Sequence, residues 1–300
     1  MEIKKLLLRS VSGLIYVALI TLGCVYGYIG VPLLGAVLAV LATVEFAGMC
    51  RDHGAATMPM LIIDTTMTVC LALGCYVLPL FVWLCLLICR LVLELYTADS
   101  HPLLSLGRSL MTQVYIGVPL FLMSLLPSVI PYFAPELAES PMVETLPYGI
   151  LYDWPMLLVV FFMIWINDTG AFVVGSLLGR HRLFERISPK KSWEGFFGGL
   201  LFNLIAGTLF CYFGGRLFSM HGQLLFWCIL GTVVTVFATW GDLVESLIKR
   251  SLGLKDSGHL IPGHGGILDR IDSLLLVIPA VFIYYIVWVC GYVWKVGHIL

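Results

Sequence analysis

The chain has 300 residues, 60% of them hydrophobic and only 12% charged, with a formal net charge of −1 at pH 7. A soluble domain carries about 25% charged residues. No soluble fold of this length could bury so much apolar surface, so the composition excludes an ordinary water-soluble protein and points to an integral membrane protein. The net charge itself says little, because the charges are segregated along the chain; no nucleic-acid partner is expected. The nine cysteines (Cys24, Cys50, Cys70, Cys75, Cys85, Cys89, Cys211, Cys228 and Cys290) lie in apolar runs without a CxxC pair. Neither a zinc site nor a disulfide framework is indicated, and they read as small buried apolar residues.

A membrane-crossing helix needs about 20 apolar residues, because the hydrocarbon core is about 30 Å thick and a helix rises about 1.5 Å per residue. Nine such runs are predicted, near 11–29, 31–49, 58–76, 78–96, 110–130, 154–179, 195–214, 223–247 and 273–294. They lack the polar–apolar alternation of barrel strands, so helices are expected. The segment MEIKKLLLRS has no small-residue cleavage site after it and reads as the start of a retained first span. Short turns are predicted at Gly30-Val31-Pro32 and near Leu78-Pro79. The expected fold is all-α and polytopic, a single membrane domain with a polar cavity facing the cytoplasm. Residues 1–150 would supply about five spans and residues 151–300 about four, with cytoplasmic loops at 180–193 and 249–272.

Placing the N-terminus in the cytoplasm puts 15 of the 17 Lys and Arg residues on the inner side; Arg216 and Lys295 are the exceptions. The loop 131–153 holds Glu136, Glu139, Glu144 and Asp153 but no Lys or Arg, as suits an outer loop. Nine spans then leave the C-terminus outside. Glycine pairs four apart (Gly23/Gly27, Gly175/Gly179, Gly195/Gly199) fit either ordinary helix packing or a homodimer interface.

Charged residues inside membrane helices usually face a cavity or a partner. Here they are Glu45, Asp64, Arg90, Glu94, Asp168, Asp242 and Glu245. Arg90 and Glu94, four apart, are expected to form an internal ion pair. Glu45 and Asp64 read equally as helix caps or as functional acids. Asp242 and Glu245 share a helix face and need positive charge between them, from a metal ion or a basic loop. Asp168 lies in the polar run Asn167-Asp168-Thr169. The loop GRHRLFERISPKKSWEG holds five basic residues, and Pro189, Lys190 and Lys191 lead into Ser192 as a helix cap with Glu194 in the first turn. Lysines beside a helix N-terminus suit a phosphate chain, although topogenic charge and contact with membrane lipid head groups also account for such a loop.

The densest polar stretch, SLIKRSLGLKDSGHLIPGHGGILDRID, runs from Ser246 to Asp272. Its glycines at 263, 265 and 266 would let backbone amides approach a phosphate. Asp242 and Asp269 flank it from two helices, and such oxygen ligands suit Mg²⁺ bound together with substrate phosphates. No Walker-type loop and no GxSxG elbow occurs.

This stretch resembles the signature of the phosphatidate cytidylyltransferase (CDP-diacylglycerol synthase) family. The match falls on Ser246, Ile248, Lys249, Arg250, Lys255, Asp256, Gly258, Ile261, Pro262, His264, Gly265, Gly266, Ile267, Asp269, Arg270, Ile271 and Asp272. The Asn-Asp-Thr-Gly-Ala-Phe and Ser-Pro-Lys-Lys-Ser-Trp-Glu-Gly runs agree as well, so the resemblance covers the C-terminal half. It implies transfer of CMP from CTP to phosphatidic acid, giving CDP-diacylglycerol and pyrophosphate. Asp242 and Asp269 would hold Mg²⁺, with Asp272 or Asp168 assisting and K⁺ as a candidate second cation. Lys190, Lys191, Lys249, Arg250, Lys255 and Arg270 would share the phosphates, near Ser192, Asp256, Gly265 and Gly266. His264 would either donate to a phosphate oxygen or hold the glycine turn. The alternatives are a CTP-dependent lipid kinase, a related CDP-lipid synthase or a transporter. The last predicts polar groups at mid-membrane and inverted repeats, against the one-sided polar density seen here.

Overall fold

The computed structural model describes residues 2–50, 57–74, 76–97, 101–129, 153–214, 223–258 and 265–297. Its helices are α1 (Glu2–Val25), α2 (Gly27–Met49), α3 (Met58–Ala72), α4 (Val77–Tyr96), α5 (Pro102–Thr112), α6 (Val118–Leu125), α7 (Trp154–Leu178), α8 (Trp193–Phe213), α9 (Leu224–Ser251) and α10 (Leu268–Gly297). A π turn (Gln113–Gly117) joins α5 to α6, so that Pro102–Ser128 runs as one apolar segment. Among the described residues, seven helical segments are long and apolar enough to cross a membrane, and Gly13–Val25 and Met58–Ala72 are shorter apolar helices. Together they fall on the nine predicted runs, and the architecture is that of an all-α polytopic membrane protein. Large apolar side chains such as Leu22, Phe81, Leu177, Phe213 and Ile283 stay exposed along these helices. Backbone polar groups inside lipid must be satisfied within the segment, which is why the exposed apolar runs are helical. The outer part of the acidic loop, residues 131–152, lies outside the described residues.

The chain forms two compact units, Met1–Ser124 with Val244–Leu275, and Leu125–Leu243 with Leu276–Leu300. In the first unit the predicted turn at Gly30-Val31-Pro32 is displaced. The chain turns instead at Tyr26–Gly27, where Gly27 adopts φ 59°, and Pro32 lies inside α2. Proline lacks the N–H that would bond the carbonyl four residues earlier, which is that of Tyr28. The Tyr76 hydroxyl donates to this Tyr28 carbonyl at 3.0 Å. The orphaned acceptor is thereby satisfied, and the helix continues through the proline.

The first unit also buries an ionic cluster. Arg90 bonds Glu94, as the spacing predicts, and also Ser105 at 2.7 Å. Asp64 lies 3.4 Å from Arg90 and 3.9 Å from Arg108, and Ser109 donates to it. Arg90 is 1% exposed and Asp64 3%. Two arginines thus balance two carboxylates where neither could stand alone.

The second unit is built on α7 packed lengthwise against α8, with an antiparallel hairpin, β1 (Arg182–Phe184) and β2 (Ser188–Ser192), between them in sequence. In the same unit Tyr285 donates to Asp153, the N-cap of α7, at 2.8 Å. Removing one member of the ionic cluster strands the others. Arg90→Met is expected to cost about 3–5 kcal/mol, read as a lower midpoint of denaturation in detergent micelles.

Candidate active site

In the second unit the glycines set how closely helices pack. A Cβ at Gly195 would stand 2.9 Å from the Ala171 carbonyl and 3.3 Å from the Gly175 Cα. A Cβ at Gly170 would stand 2.7 Å from Phe202. In the first unit Gly23 packs on Leu34. Within the chain, Gly23, Gly175 and Gly195 serve close packing.

Close approach of α7 and α8 leaves a cavity of about 420 Å³, lined by Asn167, Asp168, Phe172, Lys190, Lys191 and Asp242 among others. Small-molecule sites are typically about 300–1,000 Å³. Strand β2 delivers the lysines. Successive strand residues point to opposite faces, so Lys190 is exposed while Lys191 turns inward. The Lys191 ammonium bonds Asp242 at 2.6 Å and the Thr239 carbonyl at 3.3 Å. Ser192 caps α8 by accepting from the Gly195 N–H at 3.2 Å, as the sequence predicts. Glu194 reaches back to accept from the Arg180 N–H at 3.1 Å and the His181 N–H at 3.2 Å, tying the two ends of the hairpin segment together. Of the predicted residues, Asp168, Lys190, Lys191, Ser192 and Asp242 therefore meet at one cavity.

In the first unit Lys249 stands between two carboxylates, 2.6 Å from Glu245 and 2.6 Å from Asp269. The second oxygen of Asp269 accepts from the Ser257 N–H at 3.4 Å and the Gly266 N–H at 3.3 Å. Gly265 has φ 85°, a left-handed conformation that favours glycine. Arg250, Lys255, Asp256 and Arg270 are exposed. The Arg250 guanidinium donates to the Leu254 carbonyl at 3.2 Å, and the Arg270 carbonyl accepts from Tyr16 at 3.2 Å. His264 lies outside the described residues, so its two readings stay as the sequence leaves them.

Carboxylates dominate the donor set, which fits a hard cation such as Mg²⁺. Oxygens of Glu245 and Asp272 come within 4.8 Å of one another. Glu245 Oε1 is buried and finds no hydrogen-bond donor among the described residues. An acceptor in that state is the kind of group a bound cation would satisfy.

One acid that the sequence leaves between a helix cap and a functional group stands out. Glu45, on α2, accepts from Ser257 Oγ and from the N–H groups of Ile267 and Leu268. It is a helix cap, one of its two sequence readings. The signal was present, an acid within an apolar span, but its partners are more than 200 residues away. Gly195→Val is expected to push α7 and α8 apart, costing about 1–3 kcal/mol and weakening any ligand of the cavity; melting and ligand titration in detergent check both.

The Cytidylyltransferase family model matches residues 7–288. A phosphatidate cytidylyltransferase of Staphylococcus aureus (strain COL) is 44% identical over 138 residues, 45% of this chain and 49% of the relative. One of Staphylococcus epidermidis (strain ATCC 35984) is 42% identical over 136 residues, again 45% and 49%. One of Staphylococcus haemolyticus (strain JCSC1435) is 45% identical over 123 residues, 41% of this chain and 46% of the relative. The chain is thus aligned with about half the length of the relatives it matches.

Proposed function

Because the chain belongs to the cytidylyltransferase family, we propose that it transfers CMP from CTP to phosphatidic acid, giving CDP-diacylglycerol and pyrophosphate. The observation that carries this reading is the cavity of the second unit, where Lys190, Lys191, Ser192, Asp168 and Asp242 meet. Nucleophile and electrophile in this reaction are both phosphates and repel each other. A phosphate monoester is already largely ionised near neutral pH, with a second pKa of about 6, so no general base is required. A lipid phosphate oxygen attacks the α-phosphorus of CTP. The bond from that phosphorus to the bridging oxygen breaks, and pyrophosphate leaves with the electron pair. Catalysis is then a matter of in-line positioning and charge neutralisation.

Lys190, exposed on β2, is suited to meet a phosphate first. Lys191, already paired with Asp242, can turn its ammonium toward an incoming anion. Arg250, Lys255 and Arg270 present further exposed cationic side chains for pyrophosphate or the lipid head group. Asp269 in the first unit and Asp242 in the second each balance a lysine at 2.6 Å. Within the first unit we assign Asp269 as a ligand of Mg²⁺, with Asp272 assisting; within the second we assign Asp242 as a cation ligand, with K⁺ as a candidate second cation. Bound there, the divalent ion would supply charge neutralisation and a template for the phosphates. The gathering of Lys and Arg on one side supports a cytoplasmic N-terminus, an external C-terminus and a site facing the cytoplasm.

The test uses purified chain in detergent with Mg²⁺, phosphatidic acid and CTP labelled at either the α- or the γ-phosphate. Label from the α position should enter the lipid, and none from the γ position. The reverse would establish a lipid kinase, and no labelled lipid at all would refute the proposal. Asp269→Asn should lower turnover by at least about 100-fold, since loss of metal-assisted charge stabilisation is worth several kcal/mol and each 1.36 kcal/mol is about tenfold. Unchanged turnover would remove Asp269 from the cation site.

A further inference from the structure

We infer that Glu45 is a positioning residue for Asp269, acting through the backbone at Ser257–Gly258 and at Gly266–Leu268. The inference rests on the proposed reading of Asp269 as a cation ligand.

The geometry lies wholly within the first unit. Glu45 is 7% exposed. Its Oε1 accepts from Ser257 Oγ at 2.6 Å and the Leu268 N–H at 3.0 Å, and its Oε2 accepts from the Ile267 N–H at 2.7 Å. Leu268 opens α10, where the first N–H groups have no partner within the helix. A carboxylate is the favoured group at such an end. Here it arrives from a helix 222 positions away in the chain. Two glycines allow it to sit against the backbone. A Cβ at Gly258 would stand 3.0 Å from the Glu45 carboxyl carbon, and a Cβ at Gly266 would collide with both the carboxylate and the Ser257 hydroxyl.

The same backbone holds Asp269. The N–H groups of Ser257 and Gly266 donate to its Oδ2. Ser257 is thus gripped twice, by Glu45 through its hydroxyl and by Asp269 through its amide. Gly266 is pressed on Glu45 and bonded to Asp269. Two carboxylates thus hold the same two backbone stretches, at Ser257 and at Gly266–Leu268, so loosening Glu45 releases the amides that orient Asp269. A role confined to general stability would reduce the amount of folded protein and leave cation affinity unchanged. Positioning changes the cation affinity itself.

The experiment compares the parent chain with Glu45→Gln and Ser257→Ala. Glutamine keeps the shape but turns an NH₂ donor toward backbone N–H donors. Mn²⁺ binding is followed by electron paramagnetic resonance, and the Mg²⁺ dependence of CMP transfer by the labelled-lipid assay. Outer partners of metal ligands typically contribute about 10–100-fold to affinity. Glu45→Gln should therefore weaken Mn²⁺ binding and raise the half-saturating Mg²⁺ by about tenfold or more, with the KM for phosphatidic acid little changed. Ser257→Ala, which keeps the helix cap, should shift both in the same direction by less. If Glu45→Gln does not fold, Ser257→Ala decides. Parent-like Mn²⁺ binding in the folded variants would overturn the inference. A parent that makes no CDP-lipid while its variants still lose Mn²⁺ affinity would sink the functional reading and leave the role of Glu45 standing.

Discussion

The Lys249 ammonium, shared by Glu245 and Asp269 at 2.6 Å each, shows the constraint that shapes this molecule. A chain that is 60% hydrophobic has few places where a charge can be solvated. Each buried charge must then be paired and hydrogen-bonded, because an isolated one costs several kcal/mol or more. The pairing recurs at Lys191 with Asp242 and at Arg90 with Glu94. The cases differ in consequence. Arg90 and its partners are sealed among helices, where they hold the fold. Lys191 and Asp242 line a cavity and stay partly exposed, at 24% and 38% of their side chains.

Glycine is the second device. Close packing of α7 and α8 depends on Gly170, Gly175 and Gly195, and the seating of Glu45 depends on Gly258 and Gly266. In both units the missing side chain lets backbone or carboxylate approach where a methyl group would not fit. The polar groups of each unit can therefore converge.

Much of this was legible in the sequence. Apolar runs located the apolar helical segments seen among the described residues, since length and composition decide what a bilayer accepts. The Arg90–Glu94 pair and the Ser192 cap followed from spacing alone. Pro32 misled, because the hydroxyl that satisfies the Tyr28 carbonyl comes from Tyr76, a partner that no local rule supplies. The β-hairpin was missed for a different reason. Its strands are rich in charge and lack apolar alternation, so nothing marked them as extended. Glu45 was visible as an intramembrane acid, but its role depends on amides at the far end of the chain. Local pattern located the apolar helices; long-range hydrogen bonds decided how site residues are held.

The account stands on direct attack of one phosphate on another, with the protein supplying cationic grip and no covalent bond to the nucleotide. The most direct test runs the reaction backwards. Purified chain is incubated with radiolabelled pyrophosphate, unlabelled CTP and Mg²⁺, with or without CDP-diacylglycerol. The account predicts that label enters CTP only when CDP-diacylglycerol is present. Equal labelling of CTP without any lipid would mean that the nucleotide is first carried on the protein, and that result would contradict direct transfer.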